Sequence, residues 1–471
     1  MTSIKLNQDG PTAGVHAPLY LQLTNMYAPA WGYGGPIRVM FEYAQWMSRA
    51  FQVAVFTSDI HHDFSRIPVK SETINGVPIY RSRLAFPRLA KWVYLHSLLM
   101  WVRAAQRIRS SPGPAIVHFS DLRGMVTFYA LLLKLLFPAQ VTLVHSAFGS
   151  LHYKRSVRRK LYDLLFMTPF VRLVDLRLVQ NEHERDVYAK ICRDHGVRNP
   201  SGIILFPLHL DRVPQDPMRF TESGKNHGAV RDVRRAYGIL QDALVFLFLG
   251  RLHPAKGILR MIDAFLEFSR SCARETLLLI VGRDDGFQTK VEEHIIRSQA
   301  QKRIRIVNNV YETRFDYYFL ADAFLGFPTI YEETMLASIE AMACATPIIV
   351  SREADTPFVE EERAGLVIDF DVRTAAEAMV EVTQDLDSFQ VNARRVVARH
   401  FNGAEAAAKL RALFQMAILG SSAPRELAEP LQGESTWADQ ESSIEHTSSL
   451  ASRKRIPVLR PTTKNIEGNG C

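Results

Sequence analysis

The stretch FLGRLHPAKG (residues 248–257) joins a short apolar run to the start of a helical pattern. The apolar run ends at Gly250, the cation Arg251 follows at once, and Lys256 and Gly257 come just before the helix. A helix N-terminus that follows a strand attracts anions, because its free backbone N–H groups and the helix dipole both favour negative charge. Two cations beside it predict a phosphate-binding turn in an α/β domain. The alternative is a solvated turn with two surface cations.

The alternation of strand and helix continues in both directions from this turn. Strand patterns cover residues 18–27, 52–59, 115–121, 141–150, the start of 176–191, 243–251, 276–286, 303–309, 323–329, 347–351 and 364–369. Helical patterns follow at 37–50, in the later part of 176–191, from about 257, at 334–345 and at 373–418. Alternation of this kind predicts βαβ units and parallel sheets, which is an α/β fold.

A polar stretch rich in Pro, Gly and charge, residues 213–232, interrupts the alternation and predicts a domain boundary. Residues 420–471, the C-terminal tail, contain few large apolar residues, so they cannot form a hydrophobic core. We therefore predict a flexible N-terminus (1–17), a first Rossmann-like domain (18–232), a second one (233–400), a helix that crosses back over the first domain (401–419) and a disordered tail (420–471).

Composition and charge limit the class of protein. The 471 residues are 47% hydrophobic and 23% charged, which supports two ordinary cores. Neither a run of 18 apolar residues nor a signal-peptide pattern is present, so we expect a soluble cytoplasmic protein that at most touches the membrane surface. Residues 1–242 carry a net charge of +14 and residues 243–471 one of −6, so the first half is expected to meet an anionic partner. The chain shows no nucleic-acid-binding motif, and we expect no nucleic-acid partner.

The stretch YEETMLASIE (331–340) holds two carboxylates, Glu332 and Glu340, near its two ends. If Thr334 caps the following helix, Glu332 lies in the loop before it and Glu340 lies about two turns inside. At about 100° per residue the two are not stacked on one face, so they suit a long ligand held at two points. The alternative is that Glu332 and Glu333 favour the helix dipole while Glu340 is paired.

Residues 151–174 mix basic and apolar side chains at helical spacing. The basic ones are Lys154, Arg155, Arg158, Arg159 and Lys160. A basic face beside an apolar one is typical of contact with an anionic membrane or a lipid-linked diphosphate. Residues 88–109 have a similar character. A solvated basic face and ordinary core helices are the alternatives for both segments.

Together with YAPAWGYGGPIRVMFEYA (27–44) and PTIYEETMLASIEAMACATPIIVS (328–351), the turn GRLHPAKG (250–257) resembles the retaining glycosyltransferases of family 4. The motifs follow in order over roughly residues 18–416. The resemblance implies the GT-B fold, in which two Rossmann-like domains face each other across a cleft. It also implies a nucleotide-sugar donor bound mainly by the second domain, an acceptor bound by the first, and transfer with retention of configuration. No metal or other cofactor is implied.

The resemblance carries over residue by residue. Arg251 and Lys256 match the pair that grips the donor diphosphate, Glu332 the carboxylate that faces the transferred sugar, and Glu340 the one that holds the ribose; Glu332, Arg251 and Lys256 are implied as catalytic. The whole implied donor site comprises Gly34, Gly35, Gly250, Arg251, Lys256, Glu332, Thr334, Met335, Leu336 and Glu340. The pair Asp284–Asp285 is expected to form a turn or a contact with the base rather than a metal site.

Two departures from the family pattern concern the donor side. Phe148, in AFGS (147–150), occupies the place of a histidine that contacts the donor sugar in the family. His145 lies three positions earlier and is a candidate substitute; the alternative is a strand or loop histidine without a chemical role. Residues 333–335 replace a glycine-rich stretch, and side chains there hinder close approach of the backbone to the diphosphate.

These features favour a hexosyltransferase that moves a sugar from a nucleotide sugar to a glycan or a polyprenyl-diphosphate-linked acceptor. The implied setting is assembly of a bacterial exopolysaccharide, capsule or lipopolysaccharide, at the inner face of the cytoplasmic membrane. One alternative is a catalytically degenerate subunit that binds nucleotide sugar or serves as a scaffold. A second alternative is a sugar-nucleotide epimerase of similar fold.

Overall fold

The computed structural model describes residues 17–87, 94–151, 162–198, 200, 202–210, 219–221, 224–308, 313–332, 334–354 and 356–419. Several predicted features lie wholly or partly outside these ranges: residues 1–16 of the predicted flexible N-terminus, residues 88–93, the basic run at 154–160, residues 213–218 and 222–223 of the predicted linker, Glu333 and the tail after residue 419. The predictions made for them stay predictions. Within the described residues, no helix is long and apolar enough to cross a lipid bilayer.

The first domain is built on an eight-stranded sheet. The strands of this half, including the two-stranded ribbon β5–β6, are β1 (Leu19–Leu23), β2 (Gln52–Ser58), β3 (Ser71–Ile74), β4 (Val77–Ser82), β5 (Leu84–Ala85), β6 (Leu95–His96), β7 (Ala115–Phe119), β8 (Val141–Ser146), β9 (Leu176–Val179) and β10 (Ile203–Leu205). The order in the large sheet is β10-β9-β8-β7-β1-β2-β4-β3. Among these neighbours, β3 pairs antiparallel with β4 and the others pair parallel, which confirms the predicted βαβ units.

Helices cover both faces of this sheet. They are α1 (Gly35–Met47), α2 (Leu98–Arg109), α3 (Met125–Leu136), α4 (Thr168–Leu173) and α5 (Glu182–Asp194). Leu19, Leu21 and Leu23 of β1 pack in one apolar cluster with α2 and α3, whereas Tyr20 packs in the other with α1. The side chains of β1 alternate between two covered faces, so the strand is buried along its whole length, as a central parallel strand requires.

The second domain contains a six-stranded parallel sheet. A separate two-stranded hairpin, β11 (Phe220–Thr221) and β12 (Gly224–Lys225), precedes this sheet in the chain. The strands of the sheet are β13 (Leu244–Leu249), β14 (Thr276–Val281), β15 (Ile304–Val307), β16 (Ala323–Gly326), β17 (Ile348–Ser351) and β18 (Gly365–Ile368). They are ordered β15-β14-β13-β16-β17-β18. The helices are α6 (His227–Ala236), α7 (Ile258–Ser271), α8 (Gln288–Arg297), α9 (Arg314–Leu320), α10 (Leu336–Ala343), α11 (Val372–Gln384) and α12 (Leu386–His400).

The helix predicted from residue 334 begins later than expected. Met335, not Thr334, occupies the N-cap position of α10, and it provides no side-chain hydrogen bond. Met335 is in an extended conformation, and its buried side chain packs over Gly326 in the core. The apolar core therefore sets the start of α10, and a capping hydroxyl does not.

Residues on both sides of the predicted boundary at 232/233 contact the second domain. Lys225 donates hydrogen bonds to the carbonyl of Ala321 (2.5 Å) and the hydroxyl of Thr346 (2.8 Å), and Arg234 pairs with Asp322 at 2.8 Å. Both cations are buried against the second domain, at 5% and 4% exposure. Lys225, within the predicted linker, and Arg234, just after it, are thus buried cations that bind carbonyl groups, a hydroxyl group and a carboxylate.

The last described helix, α13 (Gly403–Ile418), returns to the first domain. The ring of Phe414 stacks on Tyr20 of β1 with centroids 5.7 Å apart, and Arg411 donates to the carbonyl of Trp46 at 3.4 Å. These contacts confirm the predicted crossing helix.

Candidate functional site

A cleft of about 2660 Å³ separates the two domains at the carboxyl ends of their strands. Ligands bind in this place in open α/β sheets. The cleft is lined by all residues of the predicted donor site, namely Gly34, Gly35, Gly250, Arg251, Lys256, Glu332, Thr334, Met335, Leu336 and Glu340. The structure therefore brings together residues that lie up to about 300 positions apart in the sequence.

The turn between β13 and α7 is fixed by its own geometry. A 3₁₀ turn (Pro254–Lys256) begins where His253 Nδ1 accepts a hydrogen bond from the backbone N of Ala255 at 3.2 Å. Gly257 follows with φ of 65°, and a Cβ at this position would lie 1.7 Å from the carbonyl oxygen of Phe327. Only glycine fits there, because both the conformation and the space exclude a side chain. Lys256 is therefore presented to the cleft from a rigid turn.

The loop that carries Glu332 is anchored along its length. Arg260 Nε donates to the carbonyl of Phe327 at 2.8 Å, the backbone N of Thr329 donates to Ala255 at 2.8 Å, and that of Glu332 donates to Glu353 at 2.7 Å. The Glu332 carboxylate forms an ion pair with the Lys256 ammonium group. The predicted sugar-facing carboxylate and one of the predicted diphosphate cations thus neutralise each other.

Glu340 is almost completely buried, with 4% of its side chain exposed. Its Oε1 accepts hydrogen bonds from Arg38 Nη1 (2.9 Å) and Arg314 Nε (3.0 Å). Its Oε2 accepts one from the Tyr318 hydroxyl at 3.0 Å. Two cations beside one carboxylate give this corner of the cleft a net positive charge. None of these three partners was predicted from the sequence, although Arg38 lies one turn after the glycine pair of the quoted motif.

The second predicted cation, Arg251, pairs with Asp285 at 2.8 Å, and Arg283 lies 3.6 Å from the same carboxylate. Asp284 Oδ1 accepts three backbone hydrogen bonds of 2.9 Å from residues 286–288, which confirms the predicted turn. These hydrogen bonds hold the pKa of Asp284 below its ordinary value. In the part of the chain that the structure describes, no group of three or more His, Cys, Asp or Glu side chains forms a metal-binding arrangement.

The glycine loop of the first domain faces α10 across the cleft. Gly34 has φ of 126°, a conformation that a side chain disfavours. A Cβ on Gly35 would lie 3.8 Å from the side chain of Leu336, so the two domains are in close apposition here. Met335, which stands at one of the family's two glycine positions, turns its side chain into the core.

The two residues considered for contact with the donor sugar lie in different environments. Phe148 lines the cleft with φ of 43°, on a loop whose next residue, Gly149, donates its backbone N–H to Glu184 Oε1 at 2.8 Å. His145 is fully buried in β8, with Nδ1 2.9 Å from the Tyr188 hydroxyl. Burial lowers its pKa well below the ordinary value. His145 thus fits the alternative of a strand histidine without a chemical role.

The loop before Glu332 also contacts the first domain. Asn181 Nδ2, at the start of α5, donates to the Tyr331 hydroxyl at 3.2 Å. The ring of His183 lies 4.4 Å from that of Tyr331, measured between centroids. The position of Glu332 is therefore tied to both domains.

Comparisons with known proteins relate part of the chain to glycosyltransferases. Residues 243–385 match the family model described as Glycosyl transferases group 1. The D-inositol 3-phosphate glycosyltransferase 2 of Catenulispora acidiphila is 29% identical over 194 residues, which are 38% of this chain and 45% of that protein. The chain spans about half the length of the curated relatives it matches.

Solved structures match over most of the chain. The sucrose-phosphate synthase of Thermosynechococcus elongatus superposes with a TM-score of 0.65 and 18% identity, over 86% of this chain and 100% of that one. HepE of Anabaena in complex with UDP-glucose superposes with a TM-score of 0.60 and 14% identity, over 84% of this chain and 99% of that one. The chain has the GT-B fold.

Proposed function

We propose that the chain is a retaining glycosyltransferase of the hexosyltransferase type, which moves a sugar from a nucleotide-sugar donor to a glycan or lipid-linked acceptor. The observation that carries this proposal is the meeting of Arg251, Lys256, Glu332 and Glu340 around one cleft, opposite the Gly34 loop. The match to the glycosyltransferase family model and the fold shared with a protein solved with UDP-glucose both support it.

The ion pairs of the cleft indicate how a donor would bind. A diphosphate placed between Arg251 and Lys256 competes with Asp285 and Glu332 for these cations. Once Lys256 turns to the phosphate, the Glu332 carboxylate becomes available to the sugar hydroxyl groups. Glu340, at the opposite end of the site, would hold the ribose.

The transfer step leaves negative charge on the departing diphosphate. Arg251, Lys256 and the uncapped start of α10 are placed to stabilise that charge. The leaving phosphate oxygen can accept the proton of the acceptor hydroxyl on the same face of the sugar, which retains the configuration. We propose that these groups serve without a metal ion or other cofactor.

We further propose that the reaction serves polysaccharide assembly in bacteria, with a polyprenyl-diphosphate-linked acceptor at the inner face of the cytoplasmic membrane. The exposed apolar side chains of the first domain support a surface contact of this kind. They include Phe128, Leu135 and Leu136 on α3, and Leu164 and Leu165 just before α4. The basic run at 154–160 precedes the second pair in the sequence.

Phe148 favours a second candidate, a subunit that binds nucleotide sugar without turnover, since an aromatic ring stands at the cleft where the family has a histidine. An epimerase of similar fold is a third candidate. The three differ in their products: a transferase glycosylates an acceptor, an epimerase converts the donor alone, and a binding subunit changes nothing.

The experiment is a thermal-shift screen with UDP-, GDP- and ADP-sugars, followed by an assay of donor hydrolysis and transfer. We expect stabilisation by one nucleotide class, and turnover in the wild type that is lost in Glu332→Ala and Lys256→Ala. Lys302→Ala, an exposed lysine of the same domain, is the matched control and should behave as wild type. Binding without turnover over a broad acceptor panel would exclude the transferase in favour of the binding subunit.

A further inference from the structure

We propose that Asn25 and Asp121 form an acceptor subsite that binds the hydroxyl groups of an uncharged sugar or polyol ring. Both residues line the first-domain side of the cleft, and the donor site described above does not use them. They follow β1 and β7, which are neighbours in the sheet, so they meet at its carboxyl edge. The inference rests on the proposed function, because it names the acceptor chemistry of the same cleft.

A chain of hydrogen bonds fixes the orientation of both polar groups. His96 Nε2 lies 2.8 Å from Asn25 Oδ1. Burial lowers the pKa of His96 to about 4, so its ring is neutral at neutral pH and Nε2–H donates to this oxygen. The Asn25 amide nitrogen is left to donate to the Asp121 carboxylate. The two groups are therefore held before any ligand arrives.

Gly124 makes room for this carboxylate. A Cβ at residue 124 would lie 1.9 Å from Asp121 Oδ2. Gly124 has φ of −160°, which is extended backbone that any residue adopts, so its conformation does not call for glycine. The space that glycine leaves is occupied by the Asp121 side chain.

An aromatic wall stands beside the two polar groups in the same cleft. Phe128, Tyr162 and Phe166 all line it, with the ring of Phe166 4.8 Å from Tyr162 and 5.9 Å from Phe128. Arg123 holds this segment through two hydrogen bonds to Asp163, at 2.8 and 3.2 Å. The pKa of Tyr162 is raised mainly by burial, and the next largest cause is the charge of Asp121. The aromatic wall and the Asp121 carboxyl group are therefore close together.

The Asp121 carboxyl group, the Asn25 amide and the aromatic wall together fit a sugar ring better than an anion. A carboxylate accepts hydrogen bonds from hydroxyl groups and an amide both donates and accepts, while aromatic rings pack against the C–H face of the ring. Burial raises the pKa of Asp121, and its hydrogen bonds to Asn25 and to the backbone of Arg123 oppose this rise. In its ionised form the carboxylate repels phosphate. Any phosphate of the acceptor must therefore bind outside this subsite.

Saturation-transfer NMR with the full chain and UDP tests the proposal. The probes are methyl α-D-glucopyranoside, methyl α-D-mannopyranoside, methyl α-D-galactopyranoside and myo-inositol. We expect saturation transfer to at least one of them in the wild type. Asp121→Asn and Gly124→Ala should weaken the binding about tenfold, the loss expected for one hydrogen bond to a charged group. Asp63→Asn, another aspartate that lines the cleft, is the matched control.

The two variants perturb the subsite in different ways: one removes the charge at nearly constant volume, and the other displaces the carboxylate without removing it. Their thermal shift with UDP, measured on the same samples, reports folding and donor binding. Weakened glycoside binding with an unchanged UDP shift supports the subsite. No transfer to any probe, or equal transfer in wild type and both variants, overturns it. A wild type that responds to no nucleotide contradicts the proposed function instead, and the glycoside result then still decides the subsite.

Discussion

Arg38 Nη1 lies 2.9 Å from Glu340 Oε1, an ion pair between residues 302 positions apart that joins the two domains across the cleft. Glu340 is 4% and Arg38 17% exposed, so water screens the pair only weakly. In a double-mutant cycle of Arg38→Met and Glu340→Gln, we expect a coupling of about 1–2 kcal/mol in the free energy of unfolding. Urea denaturation provides the measurement.

The matched control for this cycle is a surface pair of the second domain. Arg352 and Asp369 lie 3.0 Å apart but are 45% and 86% exposed. Their coupling should stay below about 0.5 kcal/mol, because solvent screens an exposed pair. Equal couplings for the two pairs would contradict the contact between Arg38 and Glu340.

Arg251 should contribute to donor affinity more than its exposed position indicates. Its guanidinium group lines the cleft and is held by Asp285, so it is oriented before a diphosphate binds. We expect Arg251→Ala to weaken UDP binding by about 10- to 100-fold, as measured by calorimetry. Arg274→Ala, an arginine of the same domain that binds the carbonyl of Asp242, should leave the affinity unchanged. If both variants bind UDP like the wild type, Arg251 is not a diphosphate ligand.

Metal removal should leave turnover intact. Arg251, Lys256 and the start of α10 are proposed to stabilise the negative charge of the diphosphate without a metal ion. We expect equal initial rates after treatment with EDTA and after addition of Mg²⁺ or Mn²⁺. A rate that falls with EDTA and recovers with either metal would show that the proposed cation site is incomplete.

Lys225 should make the free energy of unfolding depend on pH, and the sign of this dependence follows from its pKa. Burial lowers its pKa from 10.5 to about 7, so between these values the unfolded chain binds more protons than the folded one. Stability therefore rises with pH in this window, by up to about 1.4 kcal/mol per unit from this group. Below pH 7 the amine is charged in both the folded and the unfolded chain, so the free-energy cost of burying the charge no longer changes with pH.

The comparison with Lys225→Met isolates this contribution. The free energy of unfolding, measured from about pH 7 to about pH 9, should rise more steeply in the wild type than in the variant. Other groups that titrate in this range are common to both proteins and cancel in the difference. Parallel curves would mean that the Lys225 amine titrates at its ordinary pKa.

Local sequence pattern was sufficient for most of the buried parallel strands and for the turn at 248–257, but not for β3 to β6 or β10. A buried parallel strand is an apolar run of characteristic length, and the predicted phosphate-binding turn combines residues that are neighbours in the chain. The α/β class followed from the same alternation, and the GT-B arrangement was implied by the resemblance to a known family.

Contacts between distant residues could not be predicted in this way. Nothing near Glu340 in the sequence indicates that Arg38 and Arg314 share one of its oxygens. The subsite at Asn25 and Asp121 depends on two strands that become neighbours only in the sheet. The burial of Lys225 and Arg234 was not predictable either, because their carbonyl and carboxylate partners lie about 90 positions away in the sequence.

The return of α13 to β1 makes the first domain discontinuous in sequence. Its two pieces, residues up to 210 and residues 403–419, are separated by the whole second domain, and Phe414 completes the core around Tyr20. A chimera that exchanges the first domain for that of another protein must therefore transplant both pieces together. A truncation at residue 400 would remove part of the N-terminal core, although the cut lies at the other end of the chain.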